Sequence, residues 1–146
     1  MDRIDSDPLV GAHESIAGGV HTAFERAARA GCNALQVFTK NSNQWKAKPL
    51  SDADIASYKT AASESTITAP VVSHSSYLIN LCAVDPLTLE RSREAFIDEL
   101  HRCDLLGIPY LNFHPGAHMG AGEEEGIRRI AESLDIIHAA TPDSNA

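Results

Sequence analysis

Apolar positions along the chain alternate between two rhythms. Short runs of strand length occur at Leu9-Val10-Gly11-Ala12-His13, Ala34-Leu35-Gln36-Val37-Phe38, Pro70-Val71-Val72-Ser73-His74 and Tyr110-Leu111-Asn112-Phe113-His114. Between and after them, apolar residues recur at helical spacing: Val20, Phe24 and Ala27; Ile55, Tyr58 and Ala62; Leu89, Phe96, Leu100 and Cys103; Ile127, Ile130, Leu134 and Ile137. The punctuation agrees with this division. Gly18-Gly19 breaks the chain after the first run, and Gly31 and Gly107 close helices. Ser51 reads as an N-cap with Asp52 and Asp54 in the first turn, and Asp85-Pro86 opens the third helix. Thr141 to Asn145 is a turn cluster. Four successive βα units predict an α/β fold with a parallel sheet covered by helices. The first run is expected to be a buried strand. A doubly wound nucleotide-binding domain needs a G-x-G-x-x-G turn after its first strand, and Gly11, Gly18 and Gly19 lack that spacing.

Composition places this pattern in one domain with a real core. Of 146 residues, 43% are apolar and 22% charged, as in ordinary globular domains. Residues 1–8 read as a polar tail and 9–146 as the domain. No apolar run approaches the ~18 residues of a membrane helix, and the acidic N-terminus has no signal-peptide core, so a cytoplasmic location is expected. Cys32, Cys82 and Cys103 form no C-x-x-C pair. They read as free thiols, with Cys32 and Cys103 expected in the core. The formal charge of −8 disfavours a broad nucleic-acid face. It leaves open a site where bound metal supplies the positive charge.

The histidines sharpen the picture. His13, His74 and His114 stand at the C-terminal ends of the first, third and fourth predicted strands. In βα barrels those ends share the face that carries the active site. Imidazoles converging from separate strands suit a metal such as zinc. His21, His101 and His138 fall on helices and are expected at the surface; His118 follows a Pro-Gly turn and reads as either a supporting residue or an ordinary loop residue. Glu14 follows His13 directly and should face the other way. Asp52, Asp54 and Glu123 to Glu125 are most simply partners of helix dipoles. No carboxylate joins the strand-end histidines, although hydrolytic metal sites normally use one.

Several motifs now occur in a specific order: Gly11-Ala12-His13-Glu14-Ser15 with Ala17-Gly18-Gly19, Phe38-Thr39-Lys40-Asn41, Gln44-Trp45, His74-Ser75-Ser76-Tyr77-Leu78-Ile79-Asn80-Leu81, and Asn112-Phe113-His114-Pro115-Gly116-Ala117-His118. Together they closely resemble the N-terminal half of endonuclease IV, the apurinic/apyrimidinic endonuclease family 2. Arg91 to Glu99 also resembles that family's third helix. The resemblance implies a TIM barrel that cleaves double-stranded DNA on the 5′ side of abasic sites, using three zinc ions. It implies zinc-ligand roles for His74 and His114. His13 is not a ligand position in that family and is expected to support or line the site, while His118 keeps its reading as a supporting or ordinary loop residue. Tyr77 and Leu78 match the pair that enters the duplex at the lesion, a task suited to an apolar wedge and an aromatic face. Asn43 and Gln44 lie on the other DNA-facing loop. Asn43 stands where relatives often carry Arg, which removes charge and reach, and Ser75 stands where an acidic residue can occur. Trp45 is expected to pin its loop.

A complete TIM barrel takes ~250 residues, so the four βα units amount to a half-barrel, apparently truncated. The family's later Glu, Asp and His ligands have no counterpart here, and the chain alone is expected to be inactive. A four-stranded sheet is expected to expose two edges and an apolar inner face. That favours an alternative in which a non-catalytic half-barrel associates with itself or with a complementary half. A third reading, a metal-dependent sugar isomerase of related architecture, is disfavoured by the two DNA-facing loops.

Overall fold

The computed structural model describes residues 8–146, so the expected polar tail lies outside the described residues except for Pro8. Four strands and four helices alternate: β1 (Gly11–Glu14), α1 (Thr22–Arg29), β2 (Ala34–Phe38), α2 (Asp52–Glu64), β3 (Val72–His74), α3 (Pro86–Leu106), β4 (Tyr110–Asn112) and α4 (Glu123–Ala140). The strands are all parallel and lie in chain order β1-β2-β3-β4. The fold is thus half of a TIM barrel, with α1, α2 and α3 each returning the chain to the start of the next strand.

The caps follow the local chemistry. The Ser51 side chain accepts from Asp54 N–H while the Asp54 carboxylate accepts from Ser51 N–H, a reciprocal capping box. Asp85 accepts from Thr88 N–H with Pro86 in the first turn. Gly107 ends α3 at φ 75°, a left-handed conformation that glycine adopts without penalty.

Register sorts the side chains onto two faces. His13 pairs with Gln36, Phe38 with His74, and His74 with Asn112. These residues face the would-be barrel interior. Leu35, Val37 and Ser73 alternate to the other face, where they are buried. One core cluster joins Phe24, Leu35, Val37, Tyr58, Cys103 and Ile108; a second joins Ile79, Leu81, Phe96, Leu100 and Ile137. Cys32, Cys82 and Cys103 are free and buried. Burial pushes the Cys103 thiol up to about 12, so it behaves as a packing residue.

Several expectations are corrected. Leu9 and Val10 are exposed and the strand begins only at Gly11, because β1 is an edge strand with no strand on its outer side among the described residues. β3 and β4 are shorter than their apolar runs, and Phe113 and His114 lie beyond the last strand residue. Ile127 is 68% exposed, since α4 packs on α3 through Ile130, Leu134 and Ile137. His21 is not a free surface residue: it precedes α1, is half-buried, and its ring lies over Gly19. The inner face is mixed and not apolar. His13, Gln36 and Asn112 form a hydrogen-bonded row across it, with Nδ1 of His13 2.9 Å from Gln36 Nε2 and Asn112 Nδ2 donating to Gln36 Oε1 at 3.3 Å. No helix among the described residues is long and apolar enough to cross a membrane.

Candidate functional site

The C-terminal ends of the strands gather five rings. His13 lies 4.4 Å from Phe38 and 5.9 Å from His74, between ring centroids. His74 lies 5.1 Å from His114 and 5.5 Å from Tyr77, and Tyr77 lies 6.1 Å from His114. Phe38 closes the group at 5.4 Å from both His74 and Tyr77. Parallel register produces this convergence: His13, Phe38 and His74 all point to the inner face at the same end, and the chain after β4 brings His114 alongside.

The histidines differ in surroundings. His74 is buried, and its Nδ1 lies 2.8 Å from the Ser75 carbonyl oxygen, so that nitrogen carries the proton and Nε2 is the free nitrogen. His114 is exposed. Burial, followed by the neighbouring His74, lowers the pKa of His13, with Glu14 opposing. The neutral form of His13 therefore persists to lower pH, and its Nδ1 is occupied by the Gln36 amide. A cleft of about 540 Å³ opens beside the ring group, lined by His13, Ser15, Phe38, Lys40 and Ser42 among others.

The other predicted residues lie around this group. Tyr77 is 59% exposed, Leu78 is half-buried, and Asn43 and Gln44 are exposed on the loop after β2. Tyr77 N–H donates to Ser42 O at 3.1 Å, which ties the two loops together. Trp45 packs partly buried against the cluster of Ile79, Leu81 and Phe96, consistent with a pinning role. Ser75, at the position that can carry an acidic residue, is buried with its hydroxyl donating to Ser76 O. His118 is outside the ring group. Its Nδ1 accepts from Gly120 and Gly122 N–H, both at 3.2 Å, and so shapes the loop before α4.

Sequence reasoning misses two sets of residues. Asn80 clamps the loop after β3 to the loop after β4. Its Nδ2 donates to Ala117 O at 3.0 Å, its Oδ1 accepts from Cys82 N–H at 3.1 Å, and Leu81 N–H donates to Pro115 O at 3.0 Å. This seats the turn that follows His114. The second set is a buried group on α3. Glu99 accepts from Thr39 Oγ1 at 3.0 Å and from Ser76 N–H at 3.1 Å. Lys40 pairs with Asp98 at 2.8 Å and lies 3.7 Å from Glu99. Arg102 donates to Thr39 O at 2.6 Å. A signal for this group is present: Glu99 falls between Phe96 and Cys103 on the buried stripe of α3. An acid on an apolar stripe needs a partner.

Residues 24–145 match the family model described as a xylose isomerase-like TIM barrel. A relative from Geotalea daltonii, named probable endonuclease 4, is 48% identical over 133 residues, covering 91% of this chain and 46% of the relative. The crystal structure of endonuclease IV from Thermus thermophilus superposes with a TM-score of 0.74 at 34% identity, covering 89% of this chain and 47% of that one. D-psicose 3-epimerase from Clostridium cellulolyticum reaches a TM-score of 0.62 at 18% identity, covering 94% and 50% respectively, and shares the fold alone. The chain spans about half the length of the curated relatives it matches.

Proposed function

Since the chain belongs to the xylose isomerase-like TIM barrel family and matches the N-terminal half of endonuclease IV proteins, we propose that it is that half of a cytoplasmic, zinc-dependent endonuclease. Its reaction is cleavage of the DNA phosphodiester 5′ to abasic sites in base excision repair. Residues 9–146 then form the first half of a single barrel domain.

The observation that carries this reading is the ring group at the strand ends, with His74 and His114 side by side and the exposed Tyr77 against both. The donor set fits zinc in part. His74 has Nε2 free, and His114 is its imidazole neighbour. Among the described residues no group of three or more His, Cys, Asp or Glu side chains is placed to hold a metal ion. His74 and His114 would therefore supply two ligands, and the chain alone should not cleave DNA. Bound zinc would supply Lewis acidity toward the phosphate and a more acidic water.

The chain's own residues serve the substrate. Tyr77 offers an aromatic face and Leu78 an apolar wedge where an abasic nucleotide leaves a gap in the stack. Asn43 and Gln44 offer neutral hydrogen-bonding groups on the neighbouring rim. His13 lines the floor of the site beside His74, and His118 supports it only through its loop. For the chain by itself, the exposed Leu9, Val10 and Tyr110 beside an uncovered inner face favour a second reading. In it, a half-barrel pairs with another copy or with a complementary half.

The test is equilibrium binding, with zinc present, of a duplex carrying one tetrahydrofuran abasic analogue against the same duplex intact. Tighter binding of the abasic duplex, reduced by Tyr77→Ala, is expected. Equal affinity for the two duplexes would sink the proposal.

A further inference from the structure

The buried group on α3 makes no hydrogen bond or ion pair with the five rings, yet it reaches both loops that flank them. Glu99 is 1% exposed and sits 60 residues in sequence from Thr39 and 23 from Ser76. One carboxylate oxygen takes the Thr39 hydroxyl on the loop after β2; the other takes the Ser76 N–H on the loop after β3. The two loops are then bonded directly to each other. Ser76 Oγ donates to Ser42 O at 2.7 Å and Tyr77 N–H donates to the same oxygen at 3.1 Å. Lys40 and Arg102 bring two positive charges to the two negative charges of Asp98 and Glu99, so the group is balanced.

We propose that Glu99 is a positioning residue that holds the loop after β2 and the loop after β3 as one unit, keeping Tyr77 over the His74–His114 pair and Asn43 and Gln44 on the same rim. Part of this rests on the proposed function, since only DNA binding gives the fixed rim a task.

Energetic reasoning favours geometry over stability as the role. Burial pushes the Glu99 carboxyl above its ordinary range, opposed by Lys40, the Ser76 N–H and the Thr39 hydroxyl. A buried charged group of this kind is a poor source of net stability compared with well-packed apolar residues. What an apolar residue at 99 could not do is bond two loops from one side chain. A methionine of similar length can make neither bond, whereas a glutamine could keep both, its Oε1 accepting from Ser76 N–H and its Nε2 donating to the Thr39 hydroxyl oxygen.

The experiment is amide hydrogen exchange on the 146-residue chain and its Glu99→Met variant, below the unfolding transition of both. The Tyr77 and Ser76 amides should exchange about tenfold faster in the variant relative to the Phe96 amide, which reports global opening. A uniform acceleration of all three would overturn the proposal, because it would mean that Glu99 supports only overall stability. Thr39→Val provides a gentler second variant. It should loosen Tyr77, whose acceptor is on the loop after β2, while leaving Ser76 protected by Glu99. Equal behaviour of the two amides there would also count against the proposal.

Binding separates this inference from the functional one. Glu99→Met should reduce the preference for abasic over intact duplex about fivefold. Glu132→Gln, a matched charge removal on the outer face of α4, should leave it unchanged. Should the unaltered chain show no preference at all, the functional reading fails while the exchange result still decides the role of Glu99.

Discussion

The two faces of the sheet carry opposite chemistry on adjacent residues. On β2, Leu35 and Val37 point to the helices and are 3% and 0% exposed. Gln36, between them, points the other way and spends its amide on His13 and Asn112. The helix face obeys the rule of apolar burial and specifies the fold. The inner face violates it with His13, Gln36, His74 and Asn112, although each sits at the end of, or within, an apolar run. In a complete barrel the interior is a packed core with the active site at one end. The polar residues on that face are the candidates for the proposed site, and stability and function are expected to divide between the two faces.

Several substitutions sharpen this division. Leu35→Ala removes a buried side chain on the helix face and should cost about 2–5 kcal/mol, read as a lowered denaturation midpoint. Gly116→Ala should come next, at about 1–3 kcal/mol. Gly116 has φ +133°, and a Cβ there would overlap Asn80 Oδ1. It should also displace the turn after His114, visible as a shifted His114 ring resonance. If that resonance stays put, the Asn80 clamp does not govern His114.

Asp85→Ala tests a cap at the edge of the helix layer. The Thr88 side chain and N–H hold the Asp85 carboxyl below its ordinary range. A carboxyl lowered in the folded state stabilises fully above its unfolded pKa and loses that contribution as pH falls through the folded value. The variant should thus melt below the unaltered chain at neutral pH, and the gap should close on acidification below the ordinary carboxylate range. A gap independent of pH would contradict this. Gln36→Ala on the inner face should change stability least, within about 0.5 kcal/mol, despite standing next to Leu35. A loss comparable to that of Leu35→Ala would erase the distinction between the faces.

The fold is largely legible in the sequence because its signals are local. Short apolar runs and helical spacing place all eight elements, Ser51 and Asp85 announce their caps, and Gly107 its stop. The strand-end positions of His13, His74 and His114 predict that they meet, and the structure brings them together. Long-range pairing has no such signal. Glu99 meets Thr39 and Ser76 only after folding, and Asn80 meets Ala117 in the same way. The polar character of the inner face escapes for another reason. Gln36 and Asn112 are absorbed into apolar runs, although a single polar residue at an inward position is visible there. The exposure of Leu9 and Ile127 reflects which neighbours are present, which periodicity does not encode.

The most direct test of the central claim is incision of an abasic duplex by the chain mixed with the C-terminal half of the Geotalea daltonii relative. Zinc should be supplied and assembly checked by size. The account predicts no incision by the chain alone and zinc-dependent cleavage 5′ to the abasic site by the assembled pair, lost on His74→Ala or His114→Ala. An assembled, zinc-loaded pair that leaves the strand intact, or that still cleaves it with both histidines replaced, would contradict it.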